Sequence, residues 1–481
     1  MSDELSHLDA VAQAELVRTG KASPLELVDA AIDRITRTNG ALNAVIHSLF
    51  ESARESARAE LPDGPFRGVP FLLKDLDATL AGAPFHGGMR FLKENAYVSK
   101  VSSYYTELIQ TAGFVVVGKT NTPELGLTVT TEPEAYGASR NPWNTEHSTG
   151  GSSGGSGAAV AARMVPAAHA ADGGGSIRIP ASECGLVGLK PSRGRVSSGP
   201  QYTEYWNGLV ANHVVSRSVR DTAQILDCVS RAMPGDPYHA TPPARPYGDE
   251  VGANPGRLRV GIMTTFPGGG GEVHPECVEA VANAAKLLEG LGHEVEVSHP
   301  AVLDRREEQQ NGFMTIVGAW VASALTELGV EVGREIGEHD VEPGTWVLAE
   351  LGRALSSGQL VDALKSVGRF AREVDQWWEG GFEVLVTPTL AVPPPRIGWL
   401  AGSPDDPDSG MTRLLSVMPY TPAYNLTGQP AMSLPLHWSS DGLPVGVQLV
   451  ARLGREDLLL RLAAQLEEAQ PWADRRPSVC A

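Results

Sequence analysis

The sequence of 481 residues predicts an α/β fold. Three observations carry that reading. Apolar runs of strand length recur along the chain, helical stretches stand between several of them, and the pass over 257–297 reads as strand, helix, strand. Neither internal repeats nor a long low-complexity linker interrupts the pattern, so one continuous domain over 1–481 is expected. Within it, 1–60 reads as an N-terminal helical layer, 65–200 as the core that carries the chemistry, and 201–481 as the remainder of the α/β body with segments of the substrate pocket.

Residues 1–60 read as helices, and the clearest start is Ser23-Pro24-Leu25-Glu26, a capping box with proline at the first helical position. Leu27, Val28, Ala31, Ile32 and Ile35 recur on one face, which must pack on a larger body, and Gly40 is read as the stop. The runs 69–73, 114–117, 258–263, 382–386 and 445–450 are short and mostly rich in β-branched and aromatic residues, so they are read as strands. Residues 158–162 are strong helix formers. A helix from Pro275 to about Leu291 and a strand over 293–297 complete the pass that opens at 257.

Composition narrows the function. Lys and Arg number 39 against 57 Asp and Glu, a net charge of −18, which argues against a generic nucleic-acid binder. The start, Met1-Ser2-Asp3-Glu4-Leu5, is acidic and lacks an apolar signal core, so a cytoplasmic location is expected. The apolar stretch 158–171 is shorter than the ~18 residues of a spanning helix and is interrupted by Arg163, Pro166 and His169, so no membrane segment is expected. Cys184, Cys228, Cys277 and Cys480 form no C-x-x-C pair, which points to free thiols rather than a zinc site.

Three motifs compete for the chemistry. Gly113-Phe114-Val115-Val116-Val117-Gly118-Lys119-Thr120 matches a phosphate-binding loop, which would make an ATP-binding protein, but its four variable residues are strand formers and Pro123 follows soon after. Gly151-Ser152-Ser153-Gly154-Gly155 fits a nucleophile elbow, yet a polar loop stands where the elbow needs an apolar strand. The third reading takes the whole of Gly150-Gly151-Ser152-Ser153-Gly154-Gly155-Ser156-Gly157 together with Asp172-Gly173-Gly174-Gly175-Ser176-Ile177-Arg178-Ile179-Pro180. Two glycine-and-serine loops then bracket an Ala-rich helix. Glycines before Ser176 allow main-chain N–H groups close to a ligand, as an oxyanion site requires, and Ser176 becomes the natural nucleophile. A serine needs a base. None of the twelve histidines sits in an evident base motif, and His169 reads as structural. Lys74, at the end of an apolar run, suits a desolvated lysine base.

These residues resemble the signature of the amidase signature family of serine hydrolases over 150–180. The likeness continues through Gly68-Val69-Pro70-Phe71-Leu72-Leu73-Lys74-Asp75, Gly118-Lys119-Thr120-Asn121-Thr122-Pro123-Glu124, Arg140-Asn141-Pro142-Trp143, Gly428-Gln429-Pro430-Ala431 and Gly446-Val447-Gln448. The resemblance implies a large mixed central β-sheet covered by helices on both faces. It implies hydrolysis of a carboxamide C–N bond through an acyl-enzyme, with Ser176 as nucleophile, Ser152 as the bridging cis serine and Lys74 as base. It assigns the backbone of Gly173, Gly174, Gly175 and Ser176 to the oxyanion hole and Asp172 and Arg178 to loop support. It implies no metal or organic cofactor, a small-molecule amide as substrate, no nucleic-acid or membrane partner, and it allows a homodimer. One departure is Gly173, where the family usually carries threonine. Thr130-Thr131-Glu132-Pro133-Glu134-Ala135 and Gly454-Arg455-Glu456-Asp457-Leu458-Leu459-Leu460 lean toward members acting on cyclic or linear 6-aminohexanoate-type amides. Those members carry a cysteine in the segment matching 314–318, where this chain has Thr315-Ile316-Val317. The rival within the family is the amidase subunit of a tRNA-dependent amidotransferase.

Overall fold

The computed structural model describes residues 2–401 and 409–481. The helix Pro24–Leu42 begins as its sequence requires. Ser23 Oγ accepts from the Glu26 N–H at 3.3 Å while the Ser23 N–H donates to Glu26 Oε2 at 2.7 Å, a reciprocal cap worth about 0.5–2 kcal/mol. The helix does not stop at Gly40. Leu42 is still buried in the same core, and Asn43, with φ 48°, closes the helix in the left-handed conformation that its short amide tolerates.

Strands β1 (Val45–Ser48), β2 (Pro70–Lys74), β3 (Val115–Thr120), β4 (Ala167–Asp172), β5 (Val187–Lys190), β6 (Ala211–Ser216), β7 (Arg259–Ile262), β8 (Glu294–Val297), β9 (Val384–Pro388), β10 (Ala431–Trp438) and β11 (Pro444–Ala451) form one sheet in the order β1-β3-β2-β4-β6-β5-β10-β11-β9-β7-β8. β2 is parallel to β3 and β4, and β7 to β8 and β9; the remaining ladders are antiparallel. The mixed sheet is therefore present. Its alternation shows both faces covered. Phe71 and Leu73 pack with Tyr105, Leu108 and Ile109 on one side, while Leu72 packs with Val28, Ile32 and Ala158 on the other. At the far end Val384 and Val386 join the first layer, and Leu385 joins a separate layer with Phe370 and Val374. Side chains two apart share a face, so each run of β-branched residues feeds two cores.

Two strands escape the sequence pattern. The helical reading of 1–60 is corrected by β1, a four-residue edge strand of which only Val45 is buried, too short to show alternation. β4 is Ala-Ala-His-Ala-Ala-Asp, whose alanines have weak strand preference. It is a strand because neighbours pair on both sides, and Ala168 and Ala170 pack with the small residues of the helix Gly154–Ala161.

The ATP-binding alternative is overturned. Residues 115–120 are a fully buried strand, and Lys119 Nζ sits 2.6 Å from Asp75 Oδ1 and donates to Pro84 O at 2.9 Å. That lysine is committed inside the protein, and no phosphate-cradling helix follows it.

One helix bears on the expectation that no membrane segment is present. The helix Arg306–Val332, 27 residues long, is long and apolar enough by length and composition alone to cross a membrane. Here its Ile316, Val317, Val321 and Leu325 are buried in the same core as Leu348 and Phe370 of the following helices Pro343–Ala354 and Ser357–Glu379. All four cysteines are free.

Candidate active site

β2 and β4 run side by side and parallel, with Leu72 opposite Ala168, so both deliver their C-terminal ends to one crevice. β2 ends on Lys74. β4 ends on Asp172 and continues into Gly173-Gly174-Gly175-Ser176. The third piece is the loop before the helix Gly154–Ala161, where the Gly151–Ser152 peptide is cis. A Cβ on Gly151 would lie 2.4 Å from Thr130 O, so only glycine fits there. Thr131 pins the loop: its Oγ1 donates to Gly150 O at 3.0 Å and accepts from the Gly154 N–H at 3.1 Å.

Lys74, Ser152 and Ser176 thereby line one pocket of about 730 Å³ including its mouth. Lys74 Nζ donates to Ser152 Oγ at 2.7 Å, and both side chains are buried. Burial pulls the Lys74 ammonium down to about 8, against the opposing pull of the Asp77 and Asp172 carboxylates. Asp75 is not its partner. That carboxylate is taken by Lys119, by His47 Nε2 at 3.3 Å and by the His86 N–H at 3.0 Å. Ser153 points elsewhere, exchanging 3.3 Å contacts with the Ala171 main chain. His169 lies in the core, its Nε2 3.1 Å from Asn212 Oδ1, and burial pushes it down to about 3. It is a neutral core residue.

The glycine loop is shaped by Asp172. Arg178 grips that carboxylate with Nε to Oδ2 and Nη2 to Oδ1, both at 2.9 Å, and the pair is fully buried. Asp172 stays ionised, held down to about 2 by the adjacent guanidinium despite burial. Arg178 Nη1 donates to Gln448 Oε1 on β11 at 2.7 Å, and its Nη2 donates to Asn425 Oδ1, also at 2.7 Å. Arg178→Met would strand a buried carboxylate. It is expected to lower stability by about 3–5 kcal/mol, read as a fall in the urea midpoint with unchanged slope.

The expected set of four oxyanion amides is corrected at Gly175. Its N–H donates to Asp172 Oδ1 at 2.7 Å, so it is turned into the loop. Its role is steric: φ is +138°, and a Cβ would meet Thr421 Oγ1 at 2.5 Å. Among the described residues the N–H groups of Gly173, Gly174 and Ser176 have no such acceptor.

Gly173 in place of threonine has a structural counterpart. A Cβ there would sit 2.9 Å from the Trp206 ring, which occupies the space a threonine would fill. Gly173→Thr is expected to displace this wall and lower kcat/KM at least tenfold, since small misplacements near the reacting atoms are costly. Adding Trp206→Ala should recover part of that loss; a purely additive double variant would show that the indole is not the obstacle.

Of the segment 314–318, Met314 and Val317 reach the pocket. Trp206, Phe313, Asn425 and Asp77 also build the site and were not singled out from sequence, because no short motif marks them. Gln448 stood inside a matching string without a role.

The fold and the chain as a whole have counterparts among known proteins. The model of the Amidase family matches residues 26–460. The chain is 45% identical over 478 residues to the 6-aminohexanoate-cyclic-dimer hydrolase of Pseudomonas sp. (strain NK87), covering 98% of this chain and 96% of that protein. It is 40% identical over 479 residues to the putative amidase AmiC of Mycobacterium tuberculosis (strain ATCC 25618 / H37Rv), covering 98% and 97%. A solved 6-aminohexanoate cyclic dimer hydrolase complexed with substrate superposes with a TM-score of 0.95 at 43% identity, covering 99% of this chain and 100% of that one. With the signature loops, the mixed sheet and full-length similarity together, this chain belongs to the amidase signature family of amide hydrolases.

Proposed function

We propose that this protein hydrolyses small, largely aliphatic carboxamides, cyclic or linear 6-aminohexanoate-type amides among them, through an acyl-enzyme on Ser176. The observation that carries this is the buried Lys74 bonded at 2.7 Å to Ser152 in the pocket that Ser176 lines. In this reading neutral Lys74 draws the Ser152 proton, Ser152 takes the Ser176 proton, and Ser176 Oγ attacks the carbonyl carbon. The oxyanion is held by the N–H groups of Gly173, Gly174 and Ser176. The proton returns through Ser152 to the leaving nitrogen as the C–N bond breaks. Water then enters by the same relay and releases the acid.

The aliphatic walls from Leu125, Val129, Ile179, Met314 and Val317 support an alkyl chain in the cavity. This lysine-serine relay uses no metal or organic cofactor. The same reading places the chain in the cytoplasm, alone or as a homodimer, without nucleic-acid or membrane partners. A panel of alkyl amides, cyclic and linear, read by amine release from the purified chain, tests it. Hydrolysis of the 6-aminohexanoate-type members is expected. Inertness of the lone chain toward every simple amide would instead fit the amidotransferase-subunit reading.

A further inference from the structure

One ionisable group in the pocket is not used by the proposed relay. Asp77, three residues past Lys74, lines the cavity on a backbone with φ 68°, which non-glycine residues adopt uncommonly. Its Oδ1 is sealed from solvent and has no hydrogen-bond donor among the described residues. Two other buried acids beside the site have cation partners: Asp75 has Lys119 and Asp172 has Arg178. Among the described residues Lys74 is the one cation that acts appreciably on Asp77. Yet Lys74 is bonded to Ser152, and in the proposed mechanism it works as a neutral amine. Until attack begins and Lys74 takes up a proton, then, no described residue offers Asp77 a positive charge, and an unpaired carboxylate in such a site is costly.

The surroundings suit an incoming cation. Tyr205 and Trp206 line the same cavity with ring centroids 5.9 Å apart, and Phe313 follows at 6.4 Å from Trp206. Aromatic rings attract a positive group, and Leu76, Leu125 and Val317 add apolar wall to the same cavity. Burial pushes Asp77 up to about 6, which leaves it ionised at the mildly alkaline pH where Lys74 becomes neutral.

We propose that Asp77 is a cation subsite that takes the protonated primary amine at the end of an alkyl chain of the amide substrate. This deepens the hydrolase reading above and rests on it for the word substrate. The alternative is that Asp77 acts only on Lys74, setting how readily the base loses its proton.

A matched pair separates the two: 6-aminohexanoyl p-nitroanilide, which carries an ammonium, and hexanoyl p-nitroanilide, which does not. The wild-type chain is expected to favour the ammonium substrate at least tenfold in kcat/KM. Asp77→Asn, equal in size but uncharged, is expected to cut that preference at least tenfold. A preference unchanged within twofold, or equal losses on both substrates, overturns the subsite. Binding to the wild-type protein gives a second measurement that depends neither on the variant folding nor on turnover. By calorimetry, hexylammonium should bind at least tenfold more tightly than 1-hexanol, and equal or weaker binding of hexylammonium overturns the proposal. Should neither anilide turn over while hexylammonium still binds preferentially, the hydrolase reading fails on these substrates and the cation subsite stands.

Discussion

Ser176→Ala is expected to lower kcat at least about 10⁴-fold, because members of a nucleophilic relay act as a unit and removing one removes the covalent route. That factor corresponds to about 5 kcal/mol of lost transition-state stabilisation. The change is small in volume, and Ser176 lines the pocket with only 9% of its surface exposed, so the fold should persist. The measurements are amine release, thermal unfolding and the intact mass after treatment with a serine-reactive phosphonate. Wild type should gain one adduct and the variant none. Labelling of the variant at the wild-type rate would move the nucleophile elsewhere. The remaining activity should come from the loop amides and the pocket, which bind and polarise the amide without attacking it.

The second large effect concerns Lys74. Its base form is the neutral amine, and burial brings its pKa to about 8. Below that pH the group is an ammonium that cannot accept the Ser152 proton. kcat/KM should therefore rise tenfold per pH unit on the acid side and level off above about 8. Lys74→Ala should remove nearly all activity. Lys74→Arg should fail as well, because a guanidinium remains protonated throughout this range and also has to fit a fully buried site. The arginine variant is the sharper comparison, since a purely electrostatic role would survive it. Retention of more than about a tenth of wild-type kcat/KM, a loss under ~1.4 kcal/mol, would exclude Lys74 as the base.

Much of the site is legible in the sequence because its demands are local. The capping box at Ser23, the apolar run ending at Lys74 and the glycine strings around Ser152 and Ser176 each constrain the backbone within a few residues, and short-range chemistry reads them directly. The strands rich in β-branched residues, β3 and β11, are visible for the same reason. β4 is not, although it leads into the loop that ends on Ser176: its alanines hold strand geometry only because β2 and β6 pair with it.

The sequence by itself determined the α/β class, the family likeness and the identity of Lys74, Ser152 and Ser176 as the residues to watch. Only the tertiary structure decided that Gly175 turns its N–H to Asp172, that Trp206 fills the space beside Gly173, that Lys119 neutralises Asp75, and that Asp77 lines the pocket with no donor to its Oδ1 among the described residues. Arg178 shows the physical reason most plainly. Its partners Asn425 and Gln448 lie 247 and 270 residues away along the chain. Periodicity and propensity report what neighbours in sequence do to one another. Desolvation, steric filling and the pairing of buried charges are set by neighbours in space, which exist only once the sheet has brought distant strands together.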